Sequence, residues 1–369
     1  MTNLNKLINL KIILQYGIIF LLGLSIFATK FDAQLYHHPI GEVISIETTK
    51  SINETDQFRN KDKLYTQTIR VKILNTKAAG KTITLTNQYT LSCAMDEKYE
   101  PKSQVFLSHH QNSYMITGQK RDTILAFMVW LTISLLIIFM KQAGVFTIIS
   151  VIINISLLLV TIWLDLNIKN INVIILFGTL AVVMALITLS LALGFNRQML
   201  ITFLASIGSV TVAISIASII LILTHQKGLQ FDLMDYITQL PQPLFIAETI
   251  IAALGAIMDE ATDIIATQYE MLIAHPNLSR WSLYKAGQRV GQTIMGALTS
   301  VLFLIFIAEA LPMSILYLRN GNSWGYTLEM NMVLGLAQTI IAGIGIVLTV
   351  PIASGLMALL HQSKGVIND

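Results

Sequence analysis

Apolar runs dominate the chain beyond residue 122. About 20 helical residues cross the hydrocarbon core of a bilayer, so uninterrupted apolar runs of about 18 or more are span candidates. They fall at 12–29, 123–140, 144–164, 171–193, 199–223, 244–267, 291–318 and 328–358. The last run contains Gly335, Gly343, Gly345, Pro351 and Gly355, where a kink or a cytoplasmic extension is expected. Between the first two runs the pattern shortens to a partial period of two. Thr66, Thr68, Val71 and Ile73, then Ile83 and Leu85, are β-branched or apolar, and Asn75–Lys81 reads as the loop that joins them. Further strands are expected at Gln104–Leu107 and Tyr114–Thr117. The pattern predicts an α-helical polytopic membrane protein of about eight spans. A small extracytoplasmic all-β domain, a barrel or a sandwich, lies between spans 1 and 2.

Composition agrees with lipid as the solvent. Hydrophobic residues make up 54% of the chain and charged ones only 12%, where a soluble domain is about one-quarter charged. Residues 30–122 hold 23 of the 45 charged side chains, and that break marks the water-exposed domain. It divides the chain into an anchor (1–29), the β domain (30–122), a seven-span membrane domain (123–360) and a tail (361–369). The net charge of +3, with no basic run interleaved with aromatics, gives no nucleic-acid footprint. A lone Cys93 excludes an internal disulfide.

Lys and Arg concentrate on the cytoplasmic side of membrane proteins. With the N-terminus inside, that side carries Lys6, Lys11, Lys141, Arg197, Arg280, Lys285, Arg289 and Lys364, against Lys169, Lys227 and Arg319 outside. The β domain is then outside and both termini are cytoplasmic. A cleaved leader is the rival reading of residues 1–28.

The sixth run is unusual in carrying carboxylates. At about 100° per residue, Glu248, Asp259, Asp263 and Glu270 share a narrow helical stripe with Ala252, Gly255 and Ala266, and Glu260 lies off it. Pro241 and Pro243 set the helix start, so Asp259 lies roughly 22 Å along it. A carboxylate at mid-bilayer costs at least ~2.5–3.5 kcal/mol and normally faces a bundle interior or a water-filled path. Asp259 and Asp263 are therefore the leading ion- or proton-pathway candidates, with Glu260 beside them. The simpler alternative ends this helix near Met258, leaving the carboxylates on a cytoplasmic amphipathic helix.

In the seventh run, Gly287, Gly291 and Gly296 are candidate close-packing positions, and Gln288, Gln292 and Thr299 line one face. Gln292 could share a polar site with the acidic stripe, or the face could only hold the bundle together. Glu309 is a further carboxylate within the same run. The cytoplasmic link from His275 to Trp281 offers Ser279 as a helix cap. Outside the spans, His37-His38 and His109-His110 could sense pH or hold a metal, though surface histidines without a ligand role are commoner. No phosphate loop, His-Glu-x-x-His, Gly-x-Ser-x-Gly or Cys-x-x-Cys occurs. No cofactor and no enzymatic activity are expected.

Several local strings carry a family resemblance. They are Gly255-Ala256-Ile257-Met258-Asp259, the Gly287/Gly291 pair followed by Gly296, Leu311-Pro312, and the run from Gly343 and Gly345 through Leu348 to Pro351. With the order of features, they resemble the YibE/F-like family of bacterial multipass membrane proteins over about residues 120–360. The outer domain resembles the family in position and length. The resemblance implies a bacterial cell-membrane location and a companion YibE/F-like membrane subunit, and it fixes architecture more than chemistry. Thr293 stands where family members often carry an Asp. Glu260, Asp263 and Glu309 then read as additions.

Two functions compete on these grounds. One is a permease or efflux component for a small solute or cation that uses the intramembrane carboxylates. The other is a non-transporting envelope assembly or sensory protein whose outer domain binds a partner.

Overall fold

The computed structural model describes residues 17, 19–24, 26–55, 59–93, 96–110, 113–168, 171–231, 234 and 241–360. The first apolar run is thus described only in part, as a helical stretch at Ile19–Ala28. Lys6, Lys11, Lys169, Lys364 and the tail 361–369 lie outside the described residues. The chain forms two compact units, Met1–Val145 and Phe146–Asp369.

The first unit holds a five-stranded antiparallel sheet of order β3-β2-β1-β4-β5. Its strands are β1 (Ile40–Thr55), β2 (Lys61–Ile73), β3 (Thr82–Thr90), β4 (Gln104–His110) and β5 (Ser113–Gln119). The sheet curls into a half-barrel whose edge strands β3 and β5 approach one another. Val43, Ile69, Val71, Ile73, Val105 and Leu107 fill its concave face. The expected strands at 66–73, 83–85, 104–107 and 114–117 fall within β2, β3, β4 and β5, and the loop at 75–81 is present. The central strand β1 was not expected. Its register slips between Val43 and Ser45 and again between Thr48 and Lys50, and each bulge inverts the alternation that marks a strand.

Two side chains latch this domain. Asn75, 5% exposed, accepts from the Ile40 amide at 2.7 Å and donates to the carbonyls of Ala33, Tyr36 and His38. The buried Gln67 donates to the Tyr99 carbonyl at 3.2 Å and accepts from the Tyr99 amide at 3.3 Å. Burial of the Tyr99 ring, with the Glu97 charge beside it, pushes its hydroxyl up to about 12. The sequestered Lys120 ammonium pairs with Asp32 and Asp122, each at 2.7 Å. Burial lowers its affinity for the proton, yet these carboxylates outweigh that and hold it above the ordinary lysine value.

Seven helices follow: α1 (Asp122–Met140), α2 (Gln142–Asn167), α3 (Val173–Leu193), α4 (Arg197–Leu223), α5 (Pro241–Ala274), α6 (Arg280–Arg319) and α7 (Trp324–Leu360). Six of them, all but α5, are long and apolar enough to cross a membrane. Asn172, Asn196 and Ser279 cap α3, α4 and α6 by accepting from backbone amides three residues on. The Ser279 cap is the expected one.

The second unit is built around α5 and α7. Helix α5 packs on α3, α4, α6 and α7, while α7 also packs on α4 and α6. Near its start, α7 passes through a π-helical turn at Leu328–Met332. The turn's Asn331 donates to the Ala310 carbonyl at 3.0 Å and to Ser314 Oγ at 2.9 Å, on either side of Pro312 within α6. A proline removes the helical amide that would bond the carbonyl of Ala308, and Asn331 braces the neighbouring turn through Ala310 and Ser314.

Candidate functional site

The site grows from the way α5 is rotated in the bundle. It runs unbroken for 34 residues, so it does not end near Met258. Ala253, Ile257, Ala261, Ile264 and Ile265 form its fully buried side. The opposite side carries Glu248, Ala252, Gly255, Asp259, Asp263 and Glu270, all of them exposed. The predicted carboxylate stripe is therefore a single face, and that face points away from the packed interior. Glu260, one residue or about 100° from Asp259, is turned inward and is 0% exposed.

The level of Glu260 follows from helix register. Two apolar clusters join α5 to its neighbours. One contains Val210, Ile250, Leu254, Ile257, Ala342 and Ile346. The other contains Ile201, Ala205, Ala261, Ile264, Val350 and Ala353. Along the bundle α4 is thus antiparallel to α5, and α7 is parallel to it. Glu260 lies at the join, level with Ser206 and Ser209 of α4 and Thr349 of α7. These hydroxyls and Thr202 are 0% exposed. Each donates to a carbonyl four residues earlier in its own helix, at 2.7–2.9 Å. Their lone pairs remain on offer while their protons are engaged.

Glu260 has no such partner. Both carboxylate oxygens are buried and receive no hydrogen bond. A buried carboxylate without donors or a counter-charge is costly. Such a group is relieved by a proton on the carboxyl or by a bound cation.

A second polar level lies eight residues on, about 12 Å at 1.5 Å per residue. There Gln268, 0% exposed, donates to the Leu283 carbonyl at 2.8 Å, and its Oε1 is unpaired. Ser354 Oγ and Gln288 Nε2 are likewise buried without partners. Gly287 makes this level possible. A Cβ there would strike Ser354 Oγ and would lie 2.6 Å from Gln268 Nε2. Gly291 and Gly345 are close approaches of the same kind, against Val350 and Ile257.

The other candidates from the sequence are placed differently. Gln292 and Glu309 are exposed on α6, and Thr293 donates to its own helix at Arg289. Gly255 and Gly296 have open space where a side chain would go, Gly343 makes an ordinary contact with Thr299, and Pro351 sits exposed within α7. His37, His38 and His109 are exposed, and the His109 ring packs against Tyr114. The side chain of His110 is outside the described residues. Among the described residues no group of three or more His, Cys, Asp or Glu is arranged to hold a metal.

Sequence reasoning missed Ser206, Ser209, Thr349, Gln268 and Ser354. The spacing of Thr202, Ser206 and Ser209 at i, i+4 and i+7 was the available signal.

These features define a helical membrane protein with an N-terminal β half-barrel and a polar level inside its bundle. Residues 128–363 match the model of the YibE/F-like protein family, and residues 34–122 match that of the YibE/F family N-terminal domain. The chain belongs to the YibE/F-like family. No curated protein and no solved structure matches it.

Proposed function

We propose that the chain is an eight-span permease or efflux component for a small solute or cation, with Glu260 as its proton- or cation-carrying group. The carrying observation is the Glu260 carboxylate, wholly buried and unpaired at the level of three hydroxyl-bearing side chains. Intramembrane carboxylates are expensive and mark ion or proton paths by default. In this reading α5 is a span despite its carboxylates, Ile19–Ala28 belongs to the first span, and both termini are cytoplasmic.

The outward Asp259 and Asp263 favour a second membrane subunit of the same family against α5. The alternative is lipid facing two carboxylates, about 22 Å and about 28 Å along the helix, where burying a charge is still unfavourable. This observation also supports the assembly reading, and the two are compatible.

The test is a solute-dependent pH change in proteoliposomes filled with a pH-sensitive dye. A panel of small cations and neutral solutes is added outside. Wild-type protein is expected to give a pH change with at least one solute, and Glu260→Gln to give none. Equal responses from both proteins, or silence from the wild type across the panel, would overturn the proposal.

A further inference from the structure

Away from Glu260, the second unit contains an open cavity of about 890 Å³. It lies at the end of the bundle where α5 and α7 begin and α6 finishes, the end that the charge bias assigns to the outside. Small-molecule sites commonly occupy roughly 300–1,000 Å³, with apolar walls and a few convergent polar groups.

The wall of this cavity has one sign of charge. Glu248 comes from the second turn of α5 and Glu329 from the π turn of α7, and among the described residues no Lys, Arg or His lines it. Glu329 Oε1 accepts from Gln230 at 2.6 Å. Neither carboxylate has an ion pair among the described residues. Asn331 and Gln338 add amide groups, while Tyr317 and Phe177 add aromatic surface. The π turn matters here, because such turns are rare and often occur at functional sites.

We propose that this cavity binds an organic cation. The positive charge is matched to Glu248 and Glu329, and an apolar or aromatic body lies against Phe177 and Tyr317. An anion would meet two carboxylates and no compensating cation. Among the described residues a bare metal ion would find no third carboxylate or imidazole, and it would leave the aromatic wall unused. A lipid tail would strip water from two carboxylates and two amides without replacing it. Cations bind aromatic faces within about 6 Å and gain further near carboxylates. This assignment names the substrate class of the permease reading and rests on that reading for its role, but binding itself requires no transport.

The full chain in nanodiscs, with empty nanodiscs subtracted, is titrated with tetraphenylphosphonium and with tetraphenylborate. The two ions have nearly the same shape and opposite charge. The expected result is saturable binding of the cation at least about tenfold tighter than that of the anion. The Glu248→Gln/Glu329→Gln double variant is expected to lose at least about tenfold in cation affinity. No saturable binding above empty nanodiscs, or equal binding of the two ions, overturns the proposal, as does a folded double variant that binds as the wild type does. If the double variant does not fold, the comparison of the two ions on unmodified protein decides. Absent cation binding together with a Glu260-dependent pH change in proteoliposomes refutes the cavity assignment and leaves the permease reading standing. Cation binding without any flux upholds the cavity and refutes the permease reading.

Discussion

Gly287 and Gly296 lie in the same helix and meet different surroundings. At Gly287 an added methyl group would collide with Ser354 and Gln268, two buried side chains from the helices on either side. Overpacking of this kind costs typically 1–3 kcal/mol. Gly287→Ala is expected to lower the thermal midpoint in detergent by an amount of that order, and a second change, Ser354→Ala, to recover part of it. Gly296 faces open space, so Gly296→Ala should be neutral or gain up to about 1 kcal/mol from helix propensity. Equal effects at the two sites would show that the register of α5, α6 and α7 is wrong. The sequence offered both glycines as equivalent packing positions. Only the facing residues, hundreds of atoms away along the chain's path, distinguish them.

At the scale of elements, the apolar helices were legible and the rotation of α5 was not. Run length and apolarity marked five of the six apolar helices to within four residues at each end, because lipid imposes a fixed length on them, whereas α6 begins at Arg280, eleven residues before its expected run. The face of α5 that turns inward is a different matter. In water, Ile257 and Ile264 would announce the buried side. In lipid an isoleucine is content on either side, and the carboxylates were the stronger cue. They pointed to the stripe through Asp259, whereas the interior received Glu260. In the β domain, alternation located β2 to β5, while the two bulges hid β1.

The loop that closes β2 onto β3 begins at Asn75, which ties down the segment leading into β1 by four hydrogen bonds. Asn75→Ala leaves the buried Ile40 amide without its partner, and each orphaned buried group costs about 1–3 kcal/mol. The substitution should destabilise the half-barrel by roughly 2–4 kcal/mol. Faster proteolysis between residues 30 and 40, with the helical unit left intact, is the expected readout. Unchanged protection would mean that the latch is dispensable.

For the whole molecule, the one long helix that falls short as a membrane-span candidate, α5, packs against four others. A hydropathy profile ranks helices by their affinity for lipid and so passes over a helix whose apolar side is spent on its neighbours. Orientation has a convenient native reporter. Cys93 is the chain's single cysteine and is exposed in the β domain. A membrane-impermeant maleimide should label it in intact cells whose outer barrier, if any, has been opened, and Cys93→Ser should abolish the signal. Labelling only after lysis would reverse the orientation assigned from Lys and Arg.

The π turn at Leu328–Met332 also sets how the two ends of α7 are phased. A turn that closes one residue late puts everything before it about 100° out of step with everything after it. The N-terminal end, holding Glu329 and Asn331, is keyed to Ala310 and Ser314 of α6. The C-terminal end is keyed to Ile257 through Gly345 and to Gly291 through Val350. One helix thus carries two rotational settings, and removing a residue within 328–332 would turn the cavity end against the Glu260 end while leaving each end's own sequence untouched.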